Sequence, residues 1–173
     1  RNIKMKIVWS ILVLISVCFG NTFDDGVKAS QSGDYKKALE LYTLAANQGN
    51  AKAQFRIGFL YYMGLVEKDY KKAVEHFTLA SNQGDADAQY YLGLMYKIGD
   101  GLEKDYKKAA EYFTLASNQG NAAAQFSLGY MYAYGESVEQ DYKKAKELYG
   151  KSCDNGYNRG CNSYKVLDQK VNK

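Results

Sequence analysis

The 173 residues are 46% apolar, 14% aromatic and 24% charged, a globular balance that excludes a disordered or collagen-like chain and has room for one domain of ordinary size. The formal charge of +4 is local: Arg1, Lys4 and Lys6 supply three of the 23 basic residues in a stretch without acidic ones, and the rest is close to neutral. That near-neutrality excludes a nucleic-acid footprint. Proline is absent and there are 16 glycines, so glycine must make the turns.

In chain order, the first element is an export signal over residues 1–20. The basic start leads into an apolar run from Ile7 to Phe19, interrupted by Ser10 and Ser16, and Gly20 offers a small residue at the cleavage point. A membrane span needs about 20 apolar residues, so the run is too short to stay as an anchor. The expectation is a mature chain over residues 21–173, periplasmic or secreted, with no transmembrane span after cleavage. Ile15-Ser16-Val17-Cys18 approaches a lipid-attachment box, but Val17 is bulky where a small residue normally precedes the cysteine.

The remainder reads as a single solenoid domain: a capping helix at 24–32, repeats over about 34–164, and an end cap at 164–173. Asp-Tyr-Lys-Lys-Ala recurs at 34–38, 69–73, 105–109 and 141–145, in steps of 35, 36 and 36. Asn-Gln-Gly recurs at 47–49, 82–84 and 118–120, with Asp154-Asn155-Gly156 as a degenerate last copy. Ala-Gln recurs at 53–54, 88–89 and 124–125, each followed at fixed distance by a glycine (Gly58, Gly93, Gly129) and a tyrosine (Tyr61, Tyr96, Tyr132). Four registers agree, which is the signature of a repeat array.

Each unit predicts two helices. The first starts near Asn50, Asp85 or Asn121, residues able to accept hydrogen bonds from free helix-start amides, and runs to Gly64, Gly99 or Gly135. The second starts after Asp34, Asp69, Asp105 or Asp141 and is expected to be capped by Gly49, Gly84, Gly120 or Gly156. Its apolar set Tyr35, Ala38, Leu39, Tyr42, Ala45, Ala46 follows helical spacing, with Lys36, Lys37 and Glu40 opposite. Gly58, Gly93 and Gly129 fall inside helices, where glycine costs about 1 kcal/mol against alanine; recurrence at one register implies close helix–helix approach.

The pattern Ala-x-Ala-Gln-(x)3-Gly-(x)2-Tyr, a glycine turn, Asp-Tyr-x-x-Ala and Ala-x-Asn-Gln-Gly resembles the Sel-one-like repeat (SLR), a relative of the tetratricopeptide repeat. The resemblance implies an all-α fold, a right-handed α/α superhelical solenoid, and work as an adaptor for a protein or peptide partner. Cys153 and Cys161 bracket the last turn, and an even pair in an exported chain reads as a disulfide. Metal binding is the rival, but two cysteines and the distant His76 are too few ligands. The Cys-(x)7-Cys spacing also resembles the secreted bacterial cysteine-rich SLR proteins, the Hcp group. That resemblance implies a β-lactam or peptidoglycan-like ligand, or β-lactam hydrolysis. Only the last repeat here carries the pair, so what transfers is a structural disulfide and no catalytic residue.

The residues themselves offer no catalytic constellation, metal set or cofactor fingerprint. Ser-x-x-Lys and Lys-Thr-Gly are missing. Gly150-Lys151-Ser152 lacks the earlier glycine of a phosphate loop, where Ala145 stands. His76, set beside Leu41, Glu111 and Glu147, reads as an isolated histidine. If the tetratricopeptide analogy holds, the Ala-Gln helices line the concave face. Phe55, Phe59, Tyr62, Tyr90, Leu94, Phe126 and Tyr130 would then form a groove for an extended peptide or a short helix, unless they pack between repeats.

Overall fold

The computed structural model describes residues 22–171, so the expected export signal lies outside the described residues. Among the described residues there are nine helices and no strand. A helix over residues 22–31 (α1) is followed by α2 (Tyr35–Ala46), α3 (Ala51–Met63), α4 (Tyr70–Asn82), α5 (Ala86–Ile98), α6 (Tyr106–Asn118), α7 (Ala122–Tyr134), α8 (Tyr142–Asp154) and α9 (Asn158–Val171). Each packs chiefly on its neighbours in sequence, and the core is a string of four clusters along the array. This is an all-α solenoid.

Helix starts follow the sequence closely. Asp34, Asp69, Asp105 and Asp141 each accept a bond from the amide three residues on, and Asn50, Asp85 and Asn121 do the same for Ala53, Ala88 and Ala124. Each bond satisfies a helix-start donor that otherwise has no partner. Helix ends follow it too. Gly64, Gly99 and Gly135 are left-handed at the ends of the odd-numbered helices, and Gly49, Gly84, Gly120 and Gly156, all at positive φ, close the even-numbered ones. The residue after the glycine bonds back to the helix, Asn50 to Ala45, Asp85 to Ala80 and Asn121 to Ala116, the long bond of a glycine-capped helix end.

Inside each unit an aromatic ring lies on a glycine. A Cβ added to Gly58 would come 2.7 Å from the ring of Phe77; on Gly93, 2.7 Å from Phe113; on Gly129, 3.0 Å from Tyr149. Gly26 of α1 stands in the same relation to Tyr42, at 2.7 Å. Phe77 and Phe113 are fully buried there, and Tyr42 and Tyr149 nearly so. In three of the four Asp-Tyr-Lys-Lys copies the second lysine lies over the tyrosine of the preceding helix: Lys72 on Tyr61 (4.9 Å), Lys108 on Tyr96 (5.1 Å) and Lys144 on Tyr132 (4.2 Å).

Within each unit the glutamine of Ala-Gln makes a polar link. Gln119 Nε2 donates to Gln89 Oε1 at 2.8 Å, and Asn155 Nδ2 to Gln125 Oε1 at 2.9 Å. In the first copy the partner of Gln54 is His76, at 2.7 Å, stacked on Tyr61. Counted from the capping aspartate, the counterparts of His76 are Leu41, Tyr112 and Leu148, not Glu111 and Glu147. Tyr112 stacks on Tyr96 as His76 stacks on Tyr61.

The last helix departs from the pattern. At the register of Ala53, Ala88 and Ala124, α9 has Gly160, where a Cβ would meet Ser152 Oγ at 2.6 Å. At the register of Gly58, Gly93 and Gly129 it has an exposed lysine, Lys165.

Gly93→Ala should destabilise the fold by about 1–3 kcal/mol, because the helix-propensity gain is smaller than the overpacking against Phe113. Gly150→Ala, whose Cβ would stand 3.4 Å from Tyr164, should be neutral or slightly stabilising. Urea denaturation of both variants checks the contrast, and equal effects would sink the packing account.

Candidate functional site

The odd-numbered helices carry apolar residues that are buried and others that are only half-buried. All seven residues expected on the inner face are half-buried, neither sealed in the core nor free in solvent. Phe55, Phe59 and Tyr62 reach across to Tyr91 of the next repeat, and Phe126 to Tyr157.

Tyr91 joins the first group. Its ring centroid lies 5.7 Å from Phe55, 5.7 Å from Phe59 and 5.4 Å from Tyr62. Tyr90 meets Tyr91 at 5.4 Å and Phe113 at 5.9 Å, and Leu94 packs with it against the buried cluster of α6, α7 and α8. Phe126 contacts Tyr149 at 5.5 Å and Tyr157 at 5.4 Å. Tyr130 stands apart from these, 4.4 Å from Tyr134. Lys97 of α5 lies 4.6 Å over Tyr130 and 2.8 Å from Glu136, which pins that ring to the turn after α7. The result is an aromatic seam across α3, α5 and α7.

Burial sets the electrostatics of the seam. It pushes Tyr90 up to about 12, with the hydroxyls of Tyr157 and Tyr91 adding to the effect and a hydrogen bond with Ser127 opposing it. Tyr149 is likewise pushed up to about 12, first by burial and then by Tyr134 and Tyr130. Tyr62 and Tyr91 are raised by burial, then by Asp100 and Asp87 respectively. The seam thus presents neutral phenols that donate and accept hydrogen bonds at physiological pH.

Tyr91 and Tyr157 were not among the expected residues. The register of Tyr91 holds Arg56, Ser127 and Ser163 in the other copies, so no recurrence marks it. Two in-phase grooves of about 450 and 370 Å³ run between α6 and α8 and between α4 and α6. Their buried glutamines, Gln125 and Gln89, are already engaged with Asn155 and Gln119.

Cys153 and Cys161 are joined in a disulfide that ties α8 to α9. Lys146 pairs with Asp168 across the same helices. Burial holds the His76 imidazole below its ordinary value, with Glu75 acting against it. Its Nδ1 faces Gln54 Oε1, which places the proton on Nδ1. Among the described residues no three His, Cys, Asp or Glu side chains converge as a metal site, and no helix is long and apolar enough to cross a membrane.

The Sel1 repeat family model matches residues 22–50, 51–85, 86–121 and 122–157, so each copy pairs an odd-numbered helix with the next even one. A Sel1 repeat protein from Oxalobacter formigenes is 31% identical with a TM-score of 0.79, over 84% of this chain and 60% of that one. The protein c5321, a protective antigen of uropathogenic Escherichia coli with an SLR fold, is 35% identical with a TM-score of 0.73, over 79% of this chain and 29% of that one. Helicobacter pylori cysteine rich protein B shares the fold at 24% identity and a TM-score of 0.61, over 75% of this chain and 93% of that one. The chain thus matches less than two thirds of the length of the first two. No curated protein matches it.

Reducing the disulfide should cost the last helix ~2–3 kcal/mol on the chain-entropy argument. Amide exchange should rise in residues 158–171 while α3–α6 keep their protection; unchanged exchange in α9 would show that packing alone holds it. For His76 the unfolded chain takes up the proton first, so stability is full above about pH 6.5 and declines as pH falls through that value. His76→Tyr, the residue of the next copy, should flatten the urea midpoint between about pH 7.5 and 5.5 relative to the parent.

Proposed function

The chain belongs to the Sel1 repeat family, and from that premise we propose that it is an exported scaffold holding a protein or peptide partner on its inner face. Sel1 repeats generally mediate protein interactions. The observation that carries the reading for this chain is the half-exposed aromatic seam of Phe55, Phe59, Tyr62, Tyr90, Tyr91 and Phe126. Aromatic rings held rigid by their neighbours, with one edge in water, supply contact area at little further entropic cost, and such residues dominate binding energy at protein interfaces. The phenol hydroxyls add directional bonds for a backbone or polar side chain. An extended segment laid along the seam would meet several repeats in turn.

Export is supported by the basic, apolar and small-residue order of residues 1–20 and by the Cys153–Cys161 bridge, since disulfides persist in oxidising compartments. Periplasmic or secreted placement follows from that reading.

The test is capture from bacterial envelope extracts by immobilised mature chain, set against a Tyr62→Ala/Tyr130→Ala variant with unchanged helical circular dichroism. Parent protein should retain a partner that the variant binds at least about tenfold more weakly, the loss expected at an aromatic hot spot. A partner bound equally by both proteins would move the binding face elsewhere.

A further inference from the structure

A second apolar opening lies beyond the seam, where α7, α8 and α9 meet. It is a cavity of about 300 Å³, at the small end of ligand sites and sized for one residue or a compact fragment. Its floor is Ala133, Leu167 and the ring of Tyr149, all buried. Its walls are Tyr134 and Val166, 65% and 69% exposed, so the apolar surface opens directly to solvent. Lys170 stands at the mouth, its Nζ 3.2 Å from the Tyr142 hydroxyl and 4.4 Å over the Tyr142 ring. Asn162 and Ser163 complete the rim as further donors.

Among the described residues no carboxylate matches the charge at this mouth. Nearby Lys97 and Lys146 are each neutralised by a carboxylate, Glu136 and Asp168. Among the described residues Lys170 makes no ion pair, and no carboxylate lines the cavity. A cation with two neutral donors beside it, at the lip of an apolar hole, is complementary to an anion with an apolar body.

We propose that the cavity between α7, α8 and α9 is a binding site for an apolar group bearing a carboxylate. It deepens the inner-face reading and rests on it for its place in the partner's path. Tyr134 lies against Tyr130, and Tyr149 against Phe126, so a segment lying on the seam reaches the cavity next. The α9 wall is held by the disulfide and by the close approach of Gly160 to Ser152, which keeps the cavity formed before a ligand arrives.

The experiment is a titration of the oxidised mature chain with N-acetyl-phenylalanine and with its amide, followed by amide chemical shifts. The acid should shift residues 133–134 and 162–170 and bind about two- to fivefold tighter than the amide, the range of an exposed ion pair. Lys170→Gln should abolish that preference. Val166→Glu, on an exposed position, should turn the acid away, and Ala133→Leu should fill the hole. Equal binding of acid and amide, or shifts confined to the seam, overturns the proposal.

A peptide ending in phenylalanine with a free carboxylate separates the sources of the ligand. If it binds tighter than the free acid and also shifts Phe59, Tyr62 and Tyr91, the occupant is a partner segment. If only the free acid binds, the occupant is a small molecule, and the cavity assignment stands. Failure of the inner-face reading alone would appear as an intact cavity titration beside unchanged partner capture by the Tyr62→Ala/Tyr130→Ala variant.

Discussion

Every unit of the array depends on one contact, an aromatic ring seated on a glycine of the preceding helix. Gly26, Gly58, Gly93 and Gly129 let Tyr42, Phe77, Phe113 and Tyr149 approach where any Cβ would collide. The ring fills the space a side chain would take, so each helix pair closes tightly. What remains apolar must be covered by the next unit. The half-buried aromatics of the seam follow from that arrangement. They seal one repeat against the next and have an edge left over, and that edge is the material from which a binding surface can be made.

Much of this was legible in the sequence because the registers repeat. Three in-phase glycines pointed to close packing, and seven capping residues placed the helix starts. The aromatic partners went unread because they lie on the other helix of the pair, where periodicity marks them only as apolar. Gly26 was hidden for a different reason: it stands 32 residues before Gly58, off the 35–36-residue step. A repeat conceals what it does not repeat. Tyr91 and Tyr157 help to build the seam, yet their registers hold unlike residues in other copies, so only the fold brings them together. His76 stands where the next copy has Tyr112, and its bond to Gln54 joins residues 22 apart that only the fold brings together.

The paired lysines show a similar division. In the sequence they mark a solvated face, opposite the apolar stripe. In the structure the second lysine of three copies lies over a tyrosine of the preceding helix, so its stem covers the pair while its ammonium stays wet. Composition assigned these residues to water, and geometry gives them a share of the packing.

Lys165 marks where the glycine seat is lost. On α3, α5 and α7 the seat is filled from within the pair, by Phe77, Phe113 and Tyr149. On α9 the same register holds an exposed lysine, whose ammonium would be stripped of water under any ring laid over it. The contact that closes the earlier pairs is therefore denied to α9, and its hold on α8 passes to a covalent bridge, an ion pair and the close approach of Gly160 to Ser152.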